Sequence, residues 1–311
     1  MTGKTPLVVI LGPTAVGKTA YAIAVAQALN GEIVSADSRQ IYRHMDIGTA
    51  KPTAEQQALV PHHLIDVVEP DETLSAAEFQ RLAYRAIDGI WQRGRLPLLV
   101  GGTGQYISAV VEGWTIPEVP PNPALRAELE QLAAREGLGA VVERLQALDP
   151  TALENIDQRN PRRVIRAIEI VAATGQPLAG QRHKQPPPYD ILQLGLTMNR
   201  ERLYARADRR LEDMMRAGFL EEVSALLAAG YDPHLPSMSG LGYRQLAAHL
   251  RGECSLEAAL AATKRANRDF IRRQYTWFRG HDDGIHWFDV EETPAETLVE
   301  MIRDWLEHRE G

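Results

Sequence analysis

The sequence contains a single cysteine, Cys254, in 311 residues. That excludes an intrachain disulfide and any metal site built from several cysteines. No apolar run approaches the roughly 20 residues that a membrane-spanning helix needs, so no membrane partner is expected. The opening MTGKTP leads straight into a strand-like run, without a signal-peptide pattern. Internal repeats and low-complexity tails are absent as well. Basic charge is in deficit: 34 Lys and Arg face 41 Asp and Glu, for a formal net charge of −7. A phosphate backbone rewards the opposite balance, which argues mildly against a nucleic-acid partner, although local grouping of charge weighs more than the sum. At 44% hydrophobic and 24% charged residues the composition is that of an ordinary globular chain. The length suggests about two domains, and the cytoplasm is the expected compartment.

Against these absences stands LGPTAVGKTA, residues 11–20. Gly12, Gly17, Lys18 and Thr19 spell G-x-x-x-x-G-K-T, a loop whose amides cradle phosphates. The apolar, β-branched PLVVIL before it reads as a buried parallel strand, and the alanine-rich KTAYAIAVAQAL after it as a helix. Strand, glycine loop and helix in that order aim backbone N–H groups and a helix N-terminus at an anion. The loop predicts bound phosphate but leaves open whose phosphate it is.

The first third continues as strand–helix alternation through GEIVSAD, HHLIDVV, SAAEFQRLAYRAIDGIWQRG and LPLLVGGTGQYI. This predicts an α/β fold, a doubly wound P-loop NTPase-like parallel sheet flanked by helices, with ligands beyond the carboxyl ends of the strands. The texture changes at the proline cluster WTIPEVPPNP, residues 114–123, where helical segments without strand signals begin. A second proline stretch, GQRHKQPPPYD, closes the block before DILQLGLTM resumes strand character. Residues 116–190 therefore read as an inserted all-helical domain, with 1–115 and 191–311 forming the core.

Several residues are placed for chemistry. Asp37 should emerge at a strand tip facing the phosphate loop, as a general base or as a turn or cap aspartate. YRHMDIGTAKP, residues 42–52, reads as an irregular surface loop. His62 and His63 have no carboxylate at metal-ligand spacing and read as loop or core hydrogen-bonders. The glycines of GGTGQY permit close backbone approach to a ligand, and Thr103 offers a hydroxyl. Arg159, Arg162, Arg163 and Arg166 of RNPRRVIRAIE would share one side of a helix. Arg265, Arg268 and Arg272 repeat the theme among the aromatics Phe270, Tyr275, Trp277 and Phe278, a mixture suited to single-stranded nucleic acid. Either segment alone reads as a solvated helix face; together, in an acidic chain, they favour RNA.

The blocks GPTAVGKT, DSRQIYRHMDIGTAKP, HHLID, GGTGQY, RNPRRVIRAIE and RRQYTWFR, in this order, resemble the tRNA dimethylallyltransferases, the family that prenylates adenosine 37 beside the anticodon. The resemblance covers nearly the whole chain. It implies transfer of a dimethylallyl group from dimethylallyl diphosphate to N6 of adenosine 37, giving N6-(dimethylallyl)adenosine and diphosphate, with Mg²⁺ as cofactor. Gly12, Pro13, Thr14, Ala15, Val16, Gly17, Lys18 and Thr19, with Arg206, would then hold the diphosphate. Asp37 would be the catalytic base, Thr103 would position N6, and Thr19 would also bind the metal. The tRNA, through its anticodon stem-loop, would meet Asp37, Ser38, Arg39 and Gln40. The inserted helices would add Arg159, Arg162, Arg163 and Arg166, and the C-terminal half Gly242, Tyr243, Arg244, Arg268, Arg272, Arg273 and Gln274. A monomer is expected. Arg39 and His44 stand where the family has methionine and glycine, Ser239, Arg244 and Gln245 where it has glutamine, lysine and glutamate, and Phe270 where it has tyrosine. A small-molecule kinase would use the same Asp37 on a hydroxyl, and a nucleotide-driven RNA switch would leave it idle; neither accounts for all the blocks.

Overall fold

Along Thr5–Leu11 (β1), Val8 and Ile10 enter one buried cluster while Leu7, Val9 and Leu11 enter another. A strand alternates its side chains between faces, so apolar residues at every position mean a sheet covered on both sides. The computed structural model describes residues 4–115, 117, 119–154, 156–181, 183–281 and 284–309. After β1 come α1 (Lys18–Ala28), β2 (Gly31–Ala36), α2 (Ala54–Leu59), β3 (His62–His63), α3 (Ala76–Gln92), β4 (Leu96–Gly101) and α4 (Gly104–Val111). Then follow β5 (Trp114–Thr115), α5 (Pro123–Glu136), α6 (Leu138–Leu148), α7 (Pro161–Thr174) and β6 (His183–Lys184). The chain ends with β7 (Tyr189–Thr197), α8 (Arg200–Arg216), α9 (Phe219–Ala228), α10 (Tyr243–Leu250), α11 (Leu256–Arg279), β8 (Ile285–Asp289) and α12 (Ala295–Glu307).

Six strands pair in parallel in the order β3-β2-β4-β1-β7-β8. Side chains of α1, α8 and α12, among them Ala22, Leu203 and Leu298, fill one face; Phe79, Ala83 and Ile87 of α3 and Tyr106 of α4 fill the other. The carboxyl ends of β1, β2 and β4 therefore deliver the phosphate loop, Asp37 and Thr103 to one edge.

Two compact units emerge, Met1–Val111 with Pro188–Gly311, and Glu112–Pro187. The limits lie a few residues before the 116 and 190 that the proline clusters suggest, and Ile116 itself falls outside the described residues. The second unit packs α5, α6 and α7 around Leu129, Val141, Leu145, Val164 and Ile168. It is not wholly helical: Trp114 pairs with Lys184 and Thr115 with His183 in an antiparallel ribbon that closes the segment on itself.

HHLIDVV, expected as a full strand, contributes only His62 and His63. Leu64 and Asp66 take left-handed φ of 61° and 55°, which breaks the ladder. The turn brings the Asp66 carboxylate to Lys51 Nζ at 2.5 Å, and Lys51 also bonds Asp46 and the Tyr42 carbonyl. Residues 42–52 are thus an anchored loop. Its amides at Asp46, Ile47 and Gly48 donate to the Glu222 carboxylate of α9 at 2.7–3.1 Å, and Tyr243 donates its hydroxyl to Glu222 at 2.6 Å. Gly48 lies against the Phe219 and Tyr243 rings, where a Cβ would collide.

Replacing Glu222 by Ala strands the exposed amide of Asp46, the partly buried amides of Ile47 and Gly48, and the phenol of the buried Tyr243. At about 1–3 kcal/mol for an unsatisfied group, offset by water reaching some of them, a loss of about 3 kcal/mol is expected in urea unfolding. Hydrogen-exchange protection at Asp46, Ile47 and Gly48 should fall with it, and unchanged protection there would refute the anchor.

Candidate active site

The phosphate loop bends through Gly12, Ala15 and Gly17, with φ of 148°, 67° and 112°. α1 starts at Lys18 with no side-chain cap on its amides, so the first N–H groups of the helix stay open to an anion. Lys18 Nζ folds over the loop and donates to the Pro13 carbonyl at 2.8 Å. Burial lowers the Lys18 pKa to about 8; the Asp37 carboxylate opposes that shift and the Arg210 guanidinium adds to it. Arg206 reaches the loop from α8, its Nη1 lying 3.4 Å from the Val16 carbonyl oxygen. One turn further on, Arg210 is buried enough to lower its own pKa, with Asp37 opposing and Arg206 adding. Sequence reasoning picked Arg206 and missed Arg210, although spacing of four residues on one helix was the available signal.

A cleft of about 1660 Å³ runs from the loop past Arg202, Arg206, Arg209 and Arg210 to the 46–58 segment. Thr19 lines it, and no hydrogen bond occupies its hydroxyl among the described residues. No group of three His, Cys, Asp or Glu side chains suited to a metal occurs among the described residues. Mg²⁺ is commonly held by one or two protein oxygens together with substrate phosphates and water, and a free Thr19 hydroxyl beside a phosphate loop fits that donor set.

Asp37 stands just beyond β2. Its Oδ1 accepts the amides of Arg39 at 2.8 Å and Gln40 at 3.4 Å, while Oδ2 meets no donor among the described residues. The turn reading is therefore realised on Oδ1, and Oδ2 is left without a donor. Thr103 is locked to the same tip: its Oγ1 accepts the Ser38 amide at 2.9 Å and donates to Ser38 Oγ at 3.2 Å. Gly101 makes this possible, because a Cβ there would run into the Ala36 carbonyl. A second cavity, about 200 Å³, also reaches Asp37 and is lined by Thr103, Ser239, Asn267, Phe270 and Arg273 among others. Asp37, Thr14, Thr49, Arg210 and Met214 belong to both cavities.

Some residues assigned to tRNA are occupied internally. Gln274 accepts the Thr14 amide at 2.9 Å and donates to the Gly102 carbonyl at 2.8 Å, tying α11 to both loops of the site. Gln40 is held by Ser35, Thr49 and Ala50. Tyr243 is buried on Glu222, and Gly242 packs on Phe219. Arg39 reaches the Pro236 and Ser237 carbonyls and Ser239 Oγ. Arg268 bonds Asp208 at 2.7 Å and lies over the Tyr204 ring; Arg272 bonds Asp269. Arg273 lies over Phe270 at 5.7 Å, and Arg244 is exposed.

In the second unit Asn160 caps α7, so Arg159 precedes the helix and does not share its face. The cap wins because its side chain accepts the Arg163 amide. Arg166 turns inward to Glu169 and the Val119 carbonyl. Arg162 and Arg163 stay exposed in the first turn and make no ion pair among the described residues.

A family model described as IPP transferase matches residues 40–281. A curated relative named tRNA dimethylallyltransferase, from Roseiflexus sp. (strain RS-1), is 55% identical over 302 residues, 97% of this chain and 99% of its own. The full-length tRNA isopentenylpyrophosphate transferase of Bacillus halodurans superposes with a TM-score of 0.72 at 40% identity, covering 98% of this chain and 97% of its own. The tRNA isopentenylpyrophosphate transferase of Staphylococcus epidermidis gives 0.70 at 34%, over 98% and 100%. With a phosphate loop, a strand-tip aspartate and these likenesses across nearly all its length, the chain belongs to the IPP transferase family.

Proposed function

We propose that this protein transfers the dimethylallyl group of dimethylallyl diphosphate to N6 of adenosine 37 in tRNA, releasing diphosphate. The observation that carries this reading is the position of Asp37, which lines both an arginine-lined cleft and a second cavity with an aromatic wall and whose Oδ2 has no donor among the described residues. The donor's diphosphate takes the first and the acceptor base the second, so the reacting atoms meet at the carboxylate.

Adenine N6 is a weak nucleophile because its lone pair is delocalised into the ring. Asp37 Oδ2 takes its proton as the carbon–nitrogen bond forms, and the two amides on Oδ1 hold the carboxylate in place. Charge builds on the departing diphosphate, where Lys18, Arg206, Arg210 and the loop amides stabilise it. Thr19, together with the substrate phosphates, would hold Mg²⁺, which would supply Lewis-acid stabilisation of the same leaving group. Thr103 acts by fixing Ser38 and hence the strand tip. The adenine leaves its stack to enter the second cavity, where Phe270 and Arg273 offer a ring and a guanidinium plane. The exposed Arg159, Arg162 and Arg163 surround the amino end of α7, where helix dipole and side chains add in attracting phosphate. A monomer is the proposed working unit.

Asp37→Asn should lower transfer of labelled dimethylallyl to unmodified tRNA by about 10²–10⁴-fold while leaving tRNA affinity unchanged. Label moving instead from the γ-phosphate of ATP would replace this reading with a kinase. Excess chelator should abolish transfer, and full activity in chelator would remove Thr19 from metal binding. Neutralising Arg159, Arg162 and Arg163 together should make the log–log salt slope of tRNA binding shallower by about 0.7–0.9 for each phosphate these arginines hold. Affinity for dimethylallyl diphosphate should stay as it was; an unchanged slope would place the tRNA on another surface.

A further inference from the structure

His62 has no part in the mechanism above, yet its ring is built into the site. Beside the two substrate cavities lies a third, of about 40 Å³, beneath the phosphate loop. Ile33, Ser35 and Asp37 line it at intervals of two along and just beyond β2, and Lys18, Thr19, Gln40 and His62 are among the residues of its other walls. β3 sets His62 opposite Ile33. His62 Nδ1 is 2.8 Å from the Val60 carbonyl. A carbonyl only accepts, so Nδ1 carries the hydrogen and Nε2 presents a bare lone pair. That Nε2 is buried and meets no hydrogen-bonding protein atom among the described residues. The neighbouring His63, by contrast, is bound to Glu32 at 2.7 Å. One water needs about 10–15 Å³ measured in this way, so the cavity has the volume for a short file of about three.

We propose that His62 receives, through water in this cavity, the proton that Asp37 removes from the attacking amine. The proposal rests on the reading of Asp37 as base. The N6 lone pair forms the bond to the donor's C1, and the C1–O bond breaks with its electron pair leaving on diphosphate. The N6 proton passes to Asp37 Oδ2, from there to water, and from water to His62 Nε2. Asp37 is again a carboxylate and His62 an imidazolium, which returns its proton to solvent as products leave. With donor and acceptor seated in the two larger cavities, the small one, which shares Lys18, Thr19, Asp37 and Gln40 with the cleft, has the volume for water and not for a substrate. Burial is the largest cause lowering the His62 pKa from its ordinary value; His63 adds to it and the Val60 bond opposes it. The ring is therefore neutral and able to accept at pH 7. Of the charged groups lining the same cavity, Lys18 disfavours the imidazolium and Asp37 favours it. His62 acts through Asp37 and water and does not touch substrate.

The test is single-turnover prenyl transfer by the full-length protein at saturating tRNA and dimethylallyl diphosphate. His62→Gln keeps an acceptor of similar size without basicity, and should slow the step by at least about tenfold with both substrate affinities unchanged. His62→Ala should be slowed likewise and regain rate with added imidazole, in proportion to the neutral imidazole present. A wild-type rate in His62→Gln overturns the relay, and that variant decides the matter if His62→Ala does not fold. A loss in both variants that imidazole leaves unrepaired makes the ring a packing element and also overturns it. Asp37→Asn in the same assay separates the two levels. A fully active Asp37→Asn removes the base and the relay together, whereas an inactive Asp37→Asn beside a wild-type His62→Gln removes the relay alone.

Discussion

Two half-buried cations share one carboxylate at the heart of this protein. Lys18 and Arg210 both lie deep enough for burial to lower their pKa values, and Asp37 is the acid that opposes the shift in each. Burying charge without full compensation is costly, so the site is electrostatically incomplete by itself. In the proposed reaction a diphosphate would supply the missing negative charge. The same excess of positive charge would favour that leaving group more as the carbon–oxygen bond breaks, because negative charge then concentrates on the departing oxygens. Binding and catalysis draw on one imbalance.

Holding that imbalance requires a rigid frame, and the sheet provides it. β1, β2 and β4 end together, and the close approach of Gly101 to the Ala36 carbonyl keeps the tips of β2 and β4 in register. Gln274 then bolts α11 across the tips through Thr14 and Gly102. A residue on the helix that carries Phe270 and Arg273 is thereby hydrogen-bonded to the phosphate loop. The two cavities that meet at Asp37 are positioned by shared hydrogen bonds as well as by a shared wall.

Much of this was legible in the sequence, for physical reasons. Continuous apolar runs can only be doubly covered strands, and the glycine loop announces its own geometry, so the parallel sheet, the phosphate loop and Asp37 were readable. What escaped depends on partners distant in the chain. Nothing near Glu222 reveals that it gathers amides from residues 46–48, and nothing near Gln274 reveals a bond to Thr14. The truncation of β3 depends on left-handed residues at Leu64 and Asp66 that a carboxylate–lysine bond rewards. Arg159 was misplaced because like spacing along the chain said nothing of the Asn160 cap that starts the helix after it.

The deficit of basic charge also takes on a different meaning in three dimensions. On α11, Lys264 pairs with Glu212, Arg268 with Asp208 and Arg272 with Asp269. Acids of α8 and α11 thus pair with three of the basic residues of a helix that, read alone, looks like an RNA-binding stripe. Exposed pairs of this kind are each worth about 0–1 kcal/mol, so their main consequence is on charge: a phosphate approaching these arginines must displace a carboxylate. Arg162 and Arg163 carry no such partner among the described residues and sit where a helix terminus already attracts anions. The acidic excess therefore does not oppose nucleic-acid binding uniformly. It screens some basic residues and leaves others bare, and the bare ones mark where a phosphate backbone meets no competing acid.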